Sequence, residues 1–247
     1  AKKGTVQQLN ARLRTAEVLV NHSVKPHYVH KTLAADADRS TSDWLTHDAR
    51  TVLYEWCCDQ RSLLAAKWES LGLHATRLCL PRYDMSHYPT VRDVSRNMLS
   101  HLIDGIPVRV HVALPCTSWC TWQRINRHIS PHNARQIDIE RSHSRRMLRL
   151  VIAVIKPLLS RFPQLFAVSF EWPRYSDGWS PQHNPDINAL TKLLQHEVHF
   201  DGCAYGLRSL RFPQLFLKKP FRTQTSHPAL VSMARFCDGT HKHDVTR

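Results

Sequence analysis

Val108-Arg109-Val110-His111-Val112-Ala113-Leu114-Pro115-Cys116-Thr117-Ser118-Trp119-Cys120-Thr121-Trp122 is the run whose reading decides the fold. Its first seven residues are β-branched and mostly apolar, the composition of a strand buried in a parallel sheet. Pro115 cannot extend a central ladder, so the chain turns into a loop there. Ligands of an open α/β sheet bind at the carboxyl ends of its strands, and that is where this strand delivers Cys116. A cysteine in such a place is a candidate nucleophile. The structural alternative is a buried thiol that only packs.

A second strand-like run, Ala167-Val168-Ser169-Phe170-Glu171-Trp172-Pro173-Arg174, follows 55 residues after Cys116 and ends in a carboxylate and a proline. Together the two runs resemble the cytosine-C5 DNA methyltransferases. Pro115-Cys116-Thr117-Ser118-Trp119 looks like the catalytic Pro-Cys loop of that family, and Glu171-Trp172-Pro173 looks like its Glu-Asn-Val or Glu-Asn-Pro motif, with Trp172 where asparagine is usual. The resemblance spans residues 51–222. It implies an α/β, Rossmann-like methyltransferase sheet with helices on both faces. It implies S-adenosylmethionine as the methyl donor and a cytosine in DNA, or less readily RNA, as the target.

In that chemistry Cys116 adds as a thiolate to C6 of the ring, so its loop must lower the thiol pKa with backbone amides or nearby arginines. Glu171 supplies an acid at N3, its pKa raised by burial beside Trp172. Arg174 orients the base carbonyl or a phosphate. Trp119, Trp122 and Arg124 suit a rim over an extruded base, with packing as the alternative for the aromatics.

Upstream, residues 51–56 read as the first strand, 57–60 as a loop, 61–71 as a helix stopped by Gly72, and 74–80 as the second strand, together a βαβ unit. The loop contains no glycine, although the family uses a glycine-rich loop there to approach the donor. Glu55, Cys57, Asp59 and Asp84 are the candidate donor-binding residues, against ordinary loop polarity. A similar Cys-Cys loop resembles that of uncharacterised retroelement-like polyproteins.

Thr90-Val91-Arg92-Asp93 reads as the capped start of a helix running to Ile103 and closed by Asp104-Gly105. Ser130-Pro131-His132-Asn133 reads as a break before the longest helix, 137–159. One side of that helix, Met147, Leu148, Val151, Val154, Ile155 and Leu158, should pack on the sheet. The face bearing Arg141, Arg145, Arg146 and Arg149 could lie along a phosphate backbone or simply be solvated. Asn184-Pro185 reads as the start of a further helix with proline in its first position.

Segments 198–207 and 215–225 read as an antiparallel pair closing the sheet, with Arg222 a weak echo of a family arginine motif and a candidate nucleic-acid contact. Arg-Phe-Pro-Gln-Leu-Phe occurs at 161–166 and again at 211–216, each copy leading toward an expected strand. Cys237-Asp238-Gly239-Thr240-His241-Lys242-His243, with Cys203 upstream, could supply four zinc ligands, because alternate residues of an extended segment point the same way. A histidine-rich closing loop is the alternative.

The chain has 247 residues, enough for a substantial core, and 42% apolar content. It divides into a basic arm at 1–50, an α/β domain at 51–225 and a Cys/His-rich segment at 226–247. Residues 6–20 could form a helix in the arm. A formal net charge of +14, from 34 Lys and Arg against 20 Asp and Glu, with 17 histidines besides, points to a polyanionic partner.

No apolar stretch is long enough to span a membrane and no signal peptide is evident, so a membrane partner is not expected. Seven cysteines, an odd number, point to reduced thiols and an intracellular site, and the charge points within the cell to a nuclear or nucleic-acid-associated location. The opening Ala1-Lys2-Lys3 suits a piece of a polyprotein, whose other domains would be further partners. Only 76 residues follow Glu171, so a separate target-recognition domain is not expected.

Three readings follow: a compact methyltransferase relative, an inactive basic nucleic-acid-binding or assembly module of a retroelement-like polyprotein, and a thiol enzyme of other chemistry using Cys116 and a histidine.

Overall fold

The computed structural model describes residues 50–244. The expected helix at 6–20 and almost all of the basic arm lie outside the described residues.

Six strands form one mixed sheet in the order β2-β1-β3-β4-β6-β5. They are β1 (Val52–Trp56), β2 (His74–Leu78), β3 (Val108–Val112), β4 (Phe166–Pro173), β5 (His196–Asp201) and β6 (Pro220–Thr225). The first four strands are parallel, and β6 runs antiparallel between β4 and β5. The antiparallel closing pair is therefore present, in strands shorter than the two segments read from sequence.

Period-two alternation assigns the faces of the sheet. Val108, Val110 and Val112 of β3 are buried on the same side as Phe166, Val168, Phe170 and Trp172 of β4. Against that side pack α2 (Tyr88–Ile103), through Val91, Val94, Met98 and Leu102, and α4 (Pro131–Arg161), through the apolar side expected from its sequence. The short α3 (Gln123–Ile129), not expected from sequence, buries no residue and leads into α4. Each large side chain buried in this layer contributes about 2 kcal/mol. The opposite side carries Leu53, Glu55, Arg109, His111, Ser169 and Glu171. There α1 (Leu63–Ser70) covers Glu55, whose carboxylate accepts from Ser62 Oγ at 2.7 and 2.6 Å.

Helix boundaries show where local signals have two readings. Ser130-Pro131 starts a helix instead of breaking the chain: Ser130 Oγ accepts from the Asn133 amide at 3.1 Å and Pro131 sits in the first turn, so α4 begins six residues before the expected position. Proline in the first turn likewise moves the start of α2 to Tyr88 from Thr90, although its cap residue His87 makes no side-chain cap bond. Asn184-Pro185 does not begin a helix. Asn184 is buried and donates to the Gly178 carbonyl at 2.9 Å, and α5 (Ile187–Leu193) starts after Asp186. The second Arg-Phe-Pro-Gln-Leu-Phe copy also departs from expectation. It leads only to isolated bridges at Phe216, and β6 begins at Pro220.

No described helix is long and apolar enough to cross a membrane.

Candidate functional site

Past Val112 the chain stays extended for one more residue, the Ala113 amide donating to Trp56 O at 3.1 Å, then turns at Pro115. Cys116 leads a short 3-10 turn, Thr117–Trp119, closed by the Trp119 amide donating to Cys116 O at 2.9 Å. Two indoles hold this loop. Trp172 Nε1 donates to Leu114 O at 2.7 Å, and Trp119 Nε1 donates to Ser144 Oγ of α4 at 2.8 Å. Cys116 is thus half-buried at the carboxyl end of β3, on a loop pinned to both β4 and α4.

Glu171 faces away from Trp172, because neighbouring residues of a strand alternate sides. Burial against Trp172 is therefore not what perturbs it. The carboxyl is still pushed up to about 7 by burial, with the Lys219 ammonium working against that rise. The Cys116 thiol is pushed up by burial, lowered by Lys219 and raised by the charge of Glu171 and more weakly by Cys120.

Lys219 thus acts by charge on both Cys116 and Glu171, and Glu171 acts on Cys116. The strand register gives the same grouping: Glu171 is opposite Thr223 and Pro173 is opposite Phe221 across the β4–β6 pair. Lys219, two residues before Phe221, projects to the side of Glu171, and its ammonium lies 4.9 Å from the Phe221 ring centroid.

Below Glu171 on the same side, His111 Nδ1 lies 2.9 Å from Ser169 Oγ, and burial lowers the imidazole to about 4. Lys219 and the His111–Ser169 pair were not singled out from sequence. The signals were a polar residue at an alternate position of each strand run and the Lys218-Lys219-Pro220 entry to β6. Arg174 leaves β4 with its guanidinium 5.7 Å over the ring of Tyr175, its amide donating to Pro220 O at 2.9 Å.

The glycine-free loop after β1 nevertheless makes a left-handed turn. Cys57 adopts φ 62°, a conformation glycine takes at no steric cost. Its thiol is pushed up to about 12 by burial. Asp59 accepts from the Arg61 amide at 2.7 Å, and Asp84 accepts from Ser86 N and Oγ at 2.9 and 2.6 Å. Both carboxylates are exposed at the carboxyl ends of adjacent parallel strands. Glu55 is a correction: it is buried beneath α1 and bonded to Ser62, so it does not face a donor at the end of β1.

Among the nucleic-acid candidates, Trp119 is a second correction. It is fully buried at 0% exposure, packed 6.1 Å from Trp172 with Arg141 over its ring, so it cannot stack on an extruded base. Trp122, three residues on, is 63% exposed. Arg124 pairs with buried Asp177 at 2.6 Å. Arg222 pairs with Glu197 at 2.6 Å and lies 4.4 Å over Trp179. Arg145 reaches His183 O at 3.5 Å. Arg141 and Arg149 bond Ser118 O and Asp186 respectively, so much of the basic face of α4 is spent inside the fold.

At the far end of β5 and β6, Cys203, Cys237, His241 and His243 bring their ligand atoms within 4.8 Å of one another. Cys237 Sγ lies 3.7 Å from His241 Nε2 and 3.4 Å from His243 Nε2. These four residues could hold a metal ion, and they are the four selected from sequence. Two sulfurs and two imidazoles are the donor types of a four-coordinate structural zinc site.

No family model matches the chain, and neither the curated proteins nor the solved structures compared with it contain a match.

Proposed function

We propose that this chain is a cytosine-C5 methyltransferase-like protein that acts on nucleic acid, DNA in preference to RNA, with S-adenosylmethionine as donor. The observation that carries the reading is that Cys116 and Glu171, near the carboxyl ends of adjacent parallel strands, share the Lys219 ammonium, and that the Glu171 charge acts on the Cys116 thiol. A sulfur and an acid bracketing one pyrimidine ring need that arrangement.

In this reading the Cys116 thiolate bonds to C6 of cytosine, and the C5–C6 π pair moves onto C5. Glu171, with a pKa near neutrality, holds the proton that a carboxyl must deliver to N3 as negative charge builds there. Lys219 favours the thiolate. S-adenosylmethionine, when bound, would supply an electrophilic methyl group to C5, its S–CH3 bond breaking to leave the neutral thioether S-adenosylhomocysteine. Loss of the C5 proton to water restores the double bond and expels the Cys116 sulfur, while N3 returns its proton to Glu171. Asp59 and Asp84 are the exposed carboxylates able to bind the donor, and Glu55 is not among them. Trp122 and the remaining surface cations form the rim. We further propose zinc as the ion of the Cys203, Cys237, His241 and His243 cluster, on its thiolate and imidazole donors.

The test is an oligonucleotide carrying 5-fluorocytosine, mixed with the full chain and S-adenosylmethionine. The fluorine cannot leave as a proton does, so the Cys116 adduct persists through denaturing electrophoresis. The expected result is an adduct in the wild type and none in Cys116→Ser. Absence of an adduct together with no calorimetric binding of millimolar donor would overturn the reading.

A further inference from the structure

The four metal-ligating residues lie on two segments that both grip a third. Cys203 belongs to the 3-10 turn Gly202–Tyr205 after β5, and its neighbour Gly202 donates its amide to Lys219 O at 2.8 Å. The tail carrying His241 and His243 pairs with Phe216: the Phe216 amide donates to Lys242 O at 3.1 Å and the Asp244 amide to Phe216 O at 2.8 Å. The Phe216 ring also lies 4.2 Å from that of His241. The segment from Phe216 to Lys219 is thus held at one end by the tail and at the other by the turn that bears Cys203. Leu217 completes the hold by donating its amide to Leu207 O at 2.9 Å.

We propose that a metal ion on Cys203, Cys237, His241 and His243 is a clasp that sets Lys219 beside Cys116 and Glu171, making Lys219 a positioning residue whose placement depends on metal occupancy. This rests on the metal reading given above. With the ion in place, turn and tail are joined through one centre and the segment between them has a single path into β6. Without it, the two thiols and two imidazoles have only weak contacts with each other, and the backbone bonds at Gly202, Leu217 and Phe216 alone must hold the segment that places the ammonium. The charged and titratable groups acting on Cys116 are Lys219, Glu171 and Cys120. Removing the first leaves two that both disfavour the thiolate.

The experiment measures the rate of Cys116 alkylation against pH by peptide mass spectrometry, on the full chain with its metal, after chelation, and in Lys219→Met. Metal content is assayed alongside, and cobalt substitution reports tetrahedral thiolate ligation by its visible spectrum. Chelation is expected to slow alkylation at neutral pH about tenfold, the effect of one pH unit in the thiol midpoint. Lys219→Met should do the same, and chelation of that variant should add nothing.

A chain that binds neither zinc nor cobalt overturns the metal reading and this proposal with it. Stoichiometric metal with an unchanged Cys116 midpoint on chelation overturns the clasp and leaves the metal site standing. Should the metal-free chain lose its near-ultraviolet circular dichroism, Phe216→Ala with metal bound takes its place. A raised midpoint there supports the clasp, and an unmoved midpoint overturns it.

Discussion

Trp172 donates its indole N–H to the carbonyl of Leu114, 58 residues earlier in the chain, at 2.7 Å. The bond ties the end of β4 to the loop that carries Cys116, and both groups are buried, so neither finds water if the other is removed. Trp172→Phe keeps an aromatic ring but deletes the donor and leaves a gap. It is expected to lower unfolding free energy by about 2–4 kcal/mol in urea titration. It should also weaken the Cys116 adduct more than its stability loss alone explains, because the loop loses its tie to the strand of Glu171. A loss below ~0.5 kcal/mol would show that the carbonyl has another partner.

Gly178 packs beneath the same indole. A methyl group on it would overlap the six-membered ring, with Cε3 only 2.8 Å from the added carbon. The ring is wedged among Trp119, Phe170 and Trp179 and has nowhere to go. Gly178→Ala is expected to destabilise by about 1–3 kcal/mol. Thermal unfolding checks it, and an unchanged midpoint would contradict the packing.

Cys57 holds a left-handed backbone at φ 62°. Alanine there keeps the steric conflict of a Cβ, whereas glycine relieves it, and both remove the thiol. Cys57→Gly is therefore expected to be more stable than Cys57→Ala by about 1 kcal/mol, after allowance for the greater chain entropy of glycine. Paired denaturant titrations decide the order, and alanine equal to or above glycine would be the contrary result.

Glu171 and His111 titrate on one side of the sheet with opposite consequences. The Glu171 carboxyl rises from 4.5 to about 7 in the fold. It adds stability below pH 4.5 that is lost as the pH climbs to about 7. The His111 imidazole falls from 6.5 to about 4. Its contribution is present above pH 6.5 and lost as the pH drops to about 4.

The two slopes nearly cancel over the shared interval, so wild-type stability should be close to level from pH 4.5 to 6.5. In Glu171→Gln only the histidine slope remains, and stability should rise with pH there by on the order of 2 kcal/mol. Guanidinium titrations at several pH values check this. A Glu171→Gln curve parallel to the wild type would remove the perturbed carboxyl.

The strand runs, the order of the strands and the buried side of α4 were legible in the sequence because each rests on a short-range period of two or about 3.6 residues, whereas the helix Gln123–Ile129, which buries no residue, was not. The placement of Cys116 just past the end of β3 was legible for a related reason, since proline cannot continue a central ladder, whereas β4 runs two residues beyond Glu171 and includes Pro173 in its pairing with β6. The four Cys and His residues able to hold a metal ion were legible through residue type and alternation. Boundaries such as Ser130-Pro131 and Asn184-Pro185 were not, because the same residues can cap a helix or satisfy a buried carbonyl, and only the surrounding packing chooses.

Tertiary structure alone decided the rest. It turned Trp119 inward and Trp122 outward from one short segment, placed Glu55 under α1, and brought Lys219, just before β6, to the side of Glu171 on the neighbouring β4. The physical reason is that burial and charge depend on which elements stack in space. Those contacts join residues 50 or 100 positions apart, and no local pattern encodes them.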